Sequence, residues 1–228
     1  MWSSYNGAWH FESDLVDAVS GAAATDGGTS EMPGKLGAAR AFDGANSYID
    51  VAASATVDDV FAGGGTASAW CKATSFGENA RGRIFDKGAS VTTGWLLSYD
   101  NSNVASSVLF TTGATQEGEW NTPAASVPTA EWVHVAVVYD RDSTANVPQL
   151  FLNGQMQACT PNPTPTGTIP PDAGLALRIG NRTALDRTFD GLIDEPRIST
   201  HARSAGWLDT EYRNQNAPAT FLTVGPEL

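Results

Sequence analysis

Basic residues are scarce: 13 Lys and Arg stand against 25 Asp and Glu, a formal net charge of −12. Neutralising a phosphate backbone takes clustered cations. None cluster along this chain, so nucleic acid is excluded as a partner and sulfated glycans are disfavoured. An acidic surface keeps a protein soluble and attracts cations. No apolar run approaches the ~20 residues that span a bilayer, so membrane insertion is not expected. No leader-type segment precedes Trp2, and the stretch reads as one module cut from a longer protein. Cysteine is limited to Cys71 and Cys159, without a Cys-x-x-Cys spacing. That spacing argues against zinc and leaves two readings, buried thiols or one disulfide. Long Leu/Glu/Lys-rich stretches are missing, so helix is a minor component.

What the chain does have is 23 Gly, 12 Pro and seven Trp, spread along its length. Frequent turn formers between short apolar runs indicate many short strands. A hydrophobic share of 41% over 228 residues suffices for one core, and all-β sandwiches commonly reach this size as a single domain, here residues 1–228. Trp9-His10-Phe11 reads as a first strand, followed by a small-residue loop over 18–34 and strands at 38–42 and 47–51. In the strand at 66–72, Ala67, Ala69 and Cys71 share one face while Ser68, Trp70 and Lys72 share the other. Runs at 83–86, 94–99 and 107–111 suggest an antiparallel meander. In the strand at 132–139, Val133, Val135, Val137 and Tyr139 oppose Trp132, His134, Ala136 and Val138. Asn153-Gly154 between apolar runs is a strong hairpin signal, because a type I′ turn needs two positive φ values. The stretch 161–171 is a Pro/Thr-rich loop, and late strands are expected at 175–179, 189–198 and 221–224. One helix is expected over 203–213, with Ala205, Leu208 and Tyr212 at helical spacing and Trp207 packed on the sheet.

Several segments, in order, resemble the laminin-G-like, concanavalin A-like jelly-roll superfamily of bacterial secreted and surface proteins. They include Gly34 to Gly44 ending in Phe42-Asp43-Gly44, Thr66-Ala67-Ser68-Ala69-Trp70, and Glu131-Trp132-Val133-His134-Val135-Ala136. Leu150-Phe151-Leu152-Asn153-Gly154 and Phe189-Asp190-Gly191-Leu192-Ile193-Asp194-Glu195 complete the series. The resemblance implies an all-β, antiparallel two-sheet sandwich with one short helix near the C-terminus, in an extracellular or cell-surface setting. It does not fix function, since one fold hosts many functions.

Glucanases of this superfamily carry Glu-x-Asp-x-x-Glu on one strand, which sets two carboxylates about the scissile bond. That segment is absent. Glu117-Gly118-Glu119 is the nearest pairing and reads as a solvated loop. A lyase would need a base such as His134 or Tyr99 with a neutraliser for the uronate, and no such constellation is legible. Relatives often hold one structural Ca²⁺, an ion that takes six to eight oxygen ligands. The resemblance places Asp194 at the late ligand position, with Glu12 at the early one, Asp17 as its rival, and Gly44 as a carbonyl donor. Against this, Asp194 could cap a turn or pair with Arg197.

Sugars present apolar CH faces and dense hydroxyls, so an aromatic platform with polar flanks suits them. Ser68, Trp70, Lys72, Trp132 and His134 share faces that could form one, joined by Trp95 and Tyr99 with Arg83 and Asp86 at the edges. The competing reading puts these aromatics in the core. Asn181-Arg182-Thr183 is a glycosylation sequon, meaningful only in a eukaryotic source. The leading expectation is a non-catalytic, lectin-like carbohydrate-binding module whose partners are a glycan and neighbouring extracellular domains. A structural or adhesion module is the second reading and a polysaccharide-cleaving enzyme the third.

Overall fold

The computed structural model describes residues 4–221 except Val91 and Asn103. Among them sixteen strands form, beginning with β1 (Gly7–Ala8), β2 (Thr25–Gly27), β3 (Ser30–Pro33), β4 (Ala38–Asp43) and β5 (Tyr48–Val51). The middle of the chain supplies β6 (Gly65–Ala73), β7 (Arg83–Ser90), β8 (Thr93–Asp100), β9 (Ser107–Thr112), β10 (Gly118–Asn121) and β11 (Val133–Tyr139). The rest are β12 (Gln149–Leu152), β13 (Gln155–Gln157), β14 (Thr160–Pro161), β15 (Leu177–Ile179) and β16 (Asp190–Ser199), before helices α1 (Ala205–Asn216) and α2 (Pro218–Phe221).

The strands make two antiparallel sheets. Sheet I runs β13-β12-β11-β6-β16-β4-β3, with β1 on β16; sheet II runs β14-β10-β9-β8-β7-β15-β5-β2. The meander β7-β8-β9-β10 matches the sequence expectation, while β6 lies between β11 and β16, far from it in the chain. The expected two-sheet sandwich with a short C-terminal helix is therefore what forms.

Alternation decides which side chains meet between the sheets. Strand β6 sends Ala67, Ala69, Cys71 and Ala73 inward, and sheet II answers with Phe85, Trp95, Tyr99, Phe110 and Trp120. Small residues on one side and rings on the other fill the gap at interior density. Phe110 lies edge-on to Phe61 and Tyr139, with centroids 5.5 and 5.4 Å apart. The Asn153-Gly154 turn joins β12 to β13 with φ of 50° and 75°, as its residue types require. In the first Phe-Asp-Gly unit, Asp43 Oδ1 accepts from the amides of Ala45, Asn46 and Ser47 and closes the turn. In the second, Gly191 has φ of 135°, and a Cβ there would meet the Lys72 carbonyl at 2.3 Å.

Some expectations are corrected. The loop at 18–34 contains β2 and β3, which are short, polar and exposed and so show no alternation. Trp9 forms an isolated bridge to Asp17, not a strand. Glu119 lies on β10 and is buried, so Glu117-Gly118-Glu119 is not a solvated loop. Phe221 ends α2, and the remainder of the strand expected at 221–224 lies outside the described residues. Cys71 and Cys159 are unbridged. Asn181 is fully buried, its amide donating to Thr188 Oγ1 at 2.7 Å, which leaves the sequon closed to modification in the folded chain. Among the described residues no helix is long and apolar enough to cross a membrane.

Candidate functional site

The residues proposed as one sugar platform are distributed over three environments. Trp95 and Tyr99 point between the sheets, Trp95 packing on Phe61 at 4.9 Å and Tyr99 on Phe189 at 5.6 Å. Trp70, Lys72 and His134 do share the outer face of sheet I, but α1 lies across Trp70 and His134. Trp70 is 1% exposed and donates from Nε1 to Gln215 Oε1 at 2.5 Å. Its ring sits 5.3 Å from His134 and 5.6 Å from Tyr212, with Lys35 Nζ 4.8 Å above it. Lys72 is half-buried on the same face and Trp132 is half-buried just before β11. A sheet face roofed by the chain's own helix cannot serve as an open platform. Burial holds the His134 imidazole down at about 4, so it stays neutral there.

The helix forms for local reasons. Ser204 Oγ caps its N-terminus by accepting from the Trp207 amide at 3.2 Å. Leu208 and Gln215, two turns apart, turn to the sheet, Leu208 joining Ala136, Val138 and Phe151 in a second small core. Trp207 lies off that stripe and is 44% exposed, contrary to the expected packing. Beneath the helix, Arg197 pairs with Glu195 and with Glu211 (2.6 Å), His10 Nδ1 meets Glu195 at 2.6 Å, and Tyr5 donates to Glu211 at 2.9 Å. These charges floor a recess of about 460 Å³ whose walls include Leu36, Trp207 and Phe221.

The three metal candidates do not gather. Asp194 is fully buried on β16, and its Oδ2 accepts from the amides of Lys35 (2.8 Å) and Leu36 (2.9 Å). Its Oδ1 is buried without a partner. Burial, with the neighbouring charge of Glu195, pushes this carboxyl up to about 7, against the amides of Leu36, Lys35 and Glu195 that pull it down. Glu12 approaches the same turn from outside: a Cβ on Gly37 would fall 1.9 Å from its Oε1, while a Cβ on Gly34 would fall 2.6 Å from Asp194 Oδ2. Gly44 is elsewhere, against Asp190 at the far end of the β4–β16 ladder, where Asp43 pairs with Asp190. Asp17 is spent on the amides of Ala8, Val19 and Ser20. Among the described residues no three His, Cys, Asp or Glu side chains stand together as a metal set.

Arg83 and Asp86 lead instead to the outer face of sheet II. The strand registers set one cross-strand row over six strands: Asp50, Arg178, Asp86, Leu96, Thr111, Glu119. Their chain neighbours Phe85, Leu97, Phe110 and Trp120 point into the core, so the row points out. Arg83 and Ser98 begin the next row. Loops carrying Gly113 and Glu117 on one side and Arg182, Thr183 and Ala184 on the other turn this face into a cleft of about 350 Å³. Arg83 (4% exposed) pairs with Asp86 (6% exposed) at 3.0 Å. Burial is the main influence on both, lowering the Arg83 pKa and raising that of Asp86. Arg81 reaches Asp100 at 3.2 Å and Glu119 at 3.4 Å, and Arg182 grips Asp186 through two bonds of 2.5 and 2.7 Å. Thr111, 5% exposed, lines the cleft with an Oγ1 that has no partner. Thr111, Leu96 and Glu117 were not singled out for binding in the sequence. Register joins Leu96 and Thr111, and the loop before β10 brings Glu117 to them.

Two antiparallel sheets face to face, a helix over one and a cleft on the other, define a jelly-roll sandwich as the class. The chain belongs to the concanavalin A-like lectin/glucanases superfamily, whose laminin-G-type model matches residues 43–208. No curated protein matches it by sequence. Among solved structures it is similar to domain 4 of AbnA, a GH43 extracellular arabinanase from Geobacillus stearothermophilus, solved in complex with arabinotriose. The identity is 19% and the TM-score 0.66, over 90% of this chain and 97% of that one. It is also similar to the receptor binding domain of botulinum neurotoxin C/D mosaic serotype, at 13% identity and a TM-score of 0.73, covering 94% of this chain and 52% of that one. The binding domain of botulinum neurotoxin DC in complex with SialylT has 12% identity and a TM-score of 0.67, with 93% and 52% covered. The chain thus spans about half the length of these toxin domains.

Proposed function

We propose that this chain is a non-catalytic carbohydrate-binding module of an extracellular protein, and that the sugar lies in the cleft on the outer face of sheet II. The observation that carries the reading is the cleft itself. It is about 350 Å³ in volume, floored by Leu96 and lined by Arg83, Asp86, Glu117 and Thr111, whose buried hydroxyl has no partner of its own. Pockets of roughly 300–1,000 Å³ with an apolar floor and a few convergent polar groups are the usual form of small-ligand sites. The reading is supported by AbnA domain 4, solved with arabinotriose, and by the toxin binding domain solved with SialylT.

Support for the absence of catalysis comes from how the carboxylates are used. Asp86 is engaged by Arg83 and Glu119 by Arg81. Hydrolysis needs two carboxyl groups, one acting as acid and the other as base or nucleophile, and among the described residues lining the cleft only the Glu117 carboxylate has no ion pair. A glycan array followed by calorimetric titration tests the proposal, with Thr111→Val expected to weaken the best ligand. If no glycan binds, the adhesion reading replaces this one. Release of reducing ends from a polysaccharide panel would replace it with the enzyme reading.

The reading extends to one structural Ca²⁺ at the 34–37 turn. Asp194 Oδ1 and the Glu12 carboxylate are oxygen donors suited to a hard cation, whereas the Gly44 carbonyl lies at the other end of β4, beside Asp190. The ion would tie the N-terminal segment to β16. A ligand bound only by the folded state raises the melting midpoint, so a midpoint identical in Ca²⁺ and EDTA would remove this part of the proposal.

A further inference from the structure

The charges around the cleft discriminate between classes of sugar. Two arginines line it, and each already faces a carboxylate: Arg83 pairs with Asp86 and Arg182 with Asp186. Neither lining cation stands without an ion pair. The polar groups still unpaired are of another kind. Thr111 Oγ1 is buried without a partner, and Glu117 lines the cleft without an ion pair or hydrogen bond among the described residues. A hydroxyl and a carboxylate are complementary to sugar hydroxyls, the carboxylate as an acceptor and the threonine as donor or acceptor.

From this we infer that the cleft selects uncharged sugar chains and rejects chains bearing uronate, sialate or sulfate groups, with Glu117 as the residue that enforces the choice. The inference rests on the carbohydrate-binding reading above. Independent support comes from the potential at Glu117. Burial, and after it the neighbouring charge of Glu119, push its carboxyl up against the pull of Arg81 and Arg83. A second anion placed against this carboxylate, in a recess partly screened from water, would meet a like charge, which weighs heavily against a partner. The chain's formal charge of −12 acts in the same direction at longer range.

The test is calorimetric titration of the whole chain with matched oligosaccharides. Arabinotriose, xylotriose and maltotriose form the neutral set; trigalacturonate and sialylated lactose form the acidic set. The best neutral ligand is expected to bind at least about tenfold tighter than any acidic one at low salt, as expected of a like-charge clash, and the gap should narrow as salt screens the field. In Glu117→Gln the acidic set gains on the neutral set severalfold, with an unchanged melting curve showing that the fold is intact. Acidic ligands that match or exceed the neutral ones, or a ratio unmoved in Glu117→Gln, would overturn the inference and leave sugar binding standing. If neither set binds, and the glycan array is also blank, the carbohydrate reading falls and takes this inference with it.

Discussion

The outer faces of the two sheets start from the same rule and end in opposite states. On sheet I, α1 roofs the face and seals Trp70 and His134 beneath it. On sheet II, loops wall the face without closing it, and Asp86, Leu96 and Thr111 of the cross-strand row line the cleft that remains. The two aromatics that most suggested a sugar platform therefore belong to the stability of the molecule. The polar residues that looked like its edges, Arg83 and Asp86, line the cleft. An aromatic on the outer face of a strand is a binding residue only where no other element covers it.

That contrast can be broken most forcefully at Trp70. Trp70→Ala should cost about 3–5 kcal/mol, the usual range for emptying a buried aromatic site, read from denaturant unfolding. A change below about 1 kcal/mol would mean that α1 does not seal the face.

The second largest effect is a pH dependence. Burial holds His134 at about 4, below the ordinary histidine value of about 6.5. Its pKa is depressed in the folded state, so its contribution is fully present above about pH 6.5. Below that the unfolded chain takes up the proton first, and stability falls until about pH 4. At about 1.4 kcal/mol per pKa unit the loss is on the order of 3 kcal/mol. His134→Leu should flatten this part of the stability profile, and an unchanged slope would show that the imidazole is hydrated.

Gln215→Ala removes the acceptor of the Trp70 indole N–H and leaves that donor buried, an effect of about 1–3 kcal/mol, measured in the same way. Thr111→Val sits at the small end for folding and on the other sheet. It replaces an unpartnered hydroxyl with a methyl group and should shift stability by less than about 1 kcal/mol. Sugar affinity should meanwhile fall up to about tenfold, the worth of one hydrogen bond. If Thr111→Val destabilised the fold and spared affinity, the assignment of the two faces would be reversed.

Parts of this arrangement were legible from local pattern. Strand β11 reads Val-His-Val-Ala-Val-Val-Tyr, buried at every position. A run apolar on both faces belongs to a strand covered on both sides. The Phe-Asp-Gly turns and the Asn153-Gly154 hairpin were legible because specific backbone angles demand those residues. Strands β2 and β3 were not, since short polar strands carry no period. The metal set was misjudged at Gly44 because the turn that approaches Asp194 is Gly34–Gly37, on the other side of β4.

The sequence by itself determined the all-β class, the alternation of the longer strands, the turn chemistry and the scarcity of cations, which weighs against polyanionic partners. Local sterics and the period of the backbone suffice for these. Tertiary structure alone decided which outer face is open and which residues meet on it. Asp86, Leu96, Thr111 and Glu119 lie on four strands, and each is an ordinary polar or apolar residue at its own place in the chain. Strand order and register, set by burial on the opposite face, bring them into one row.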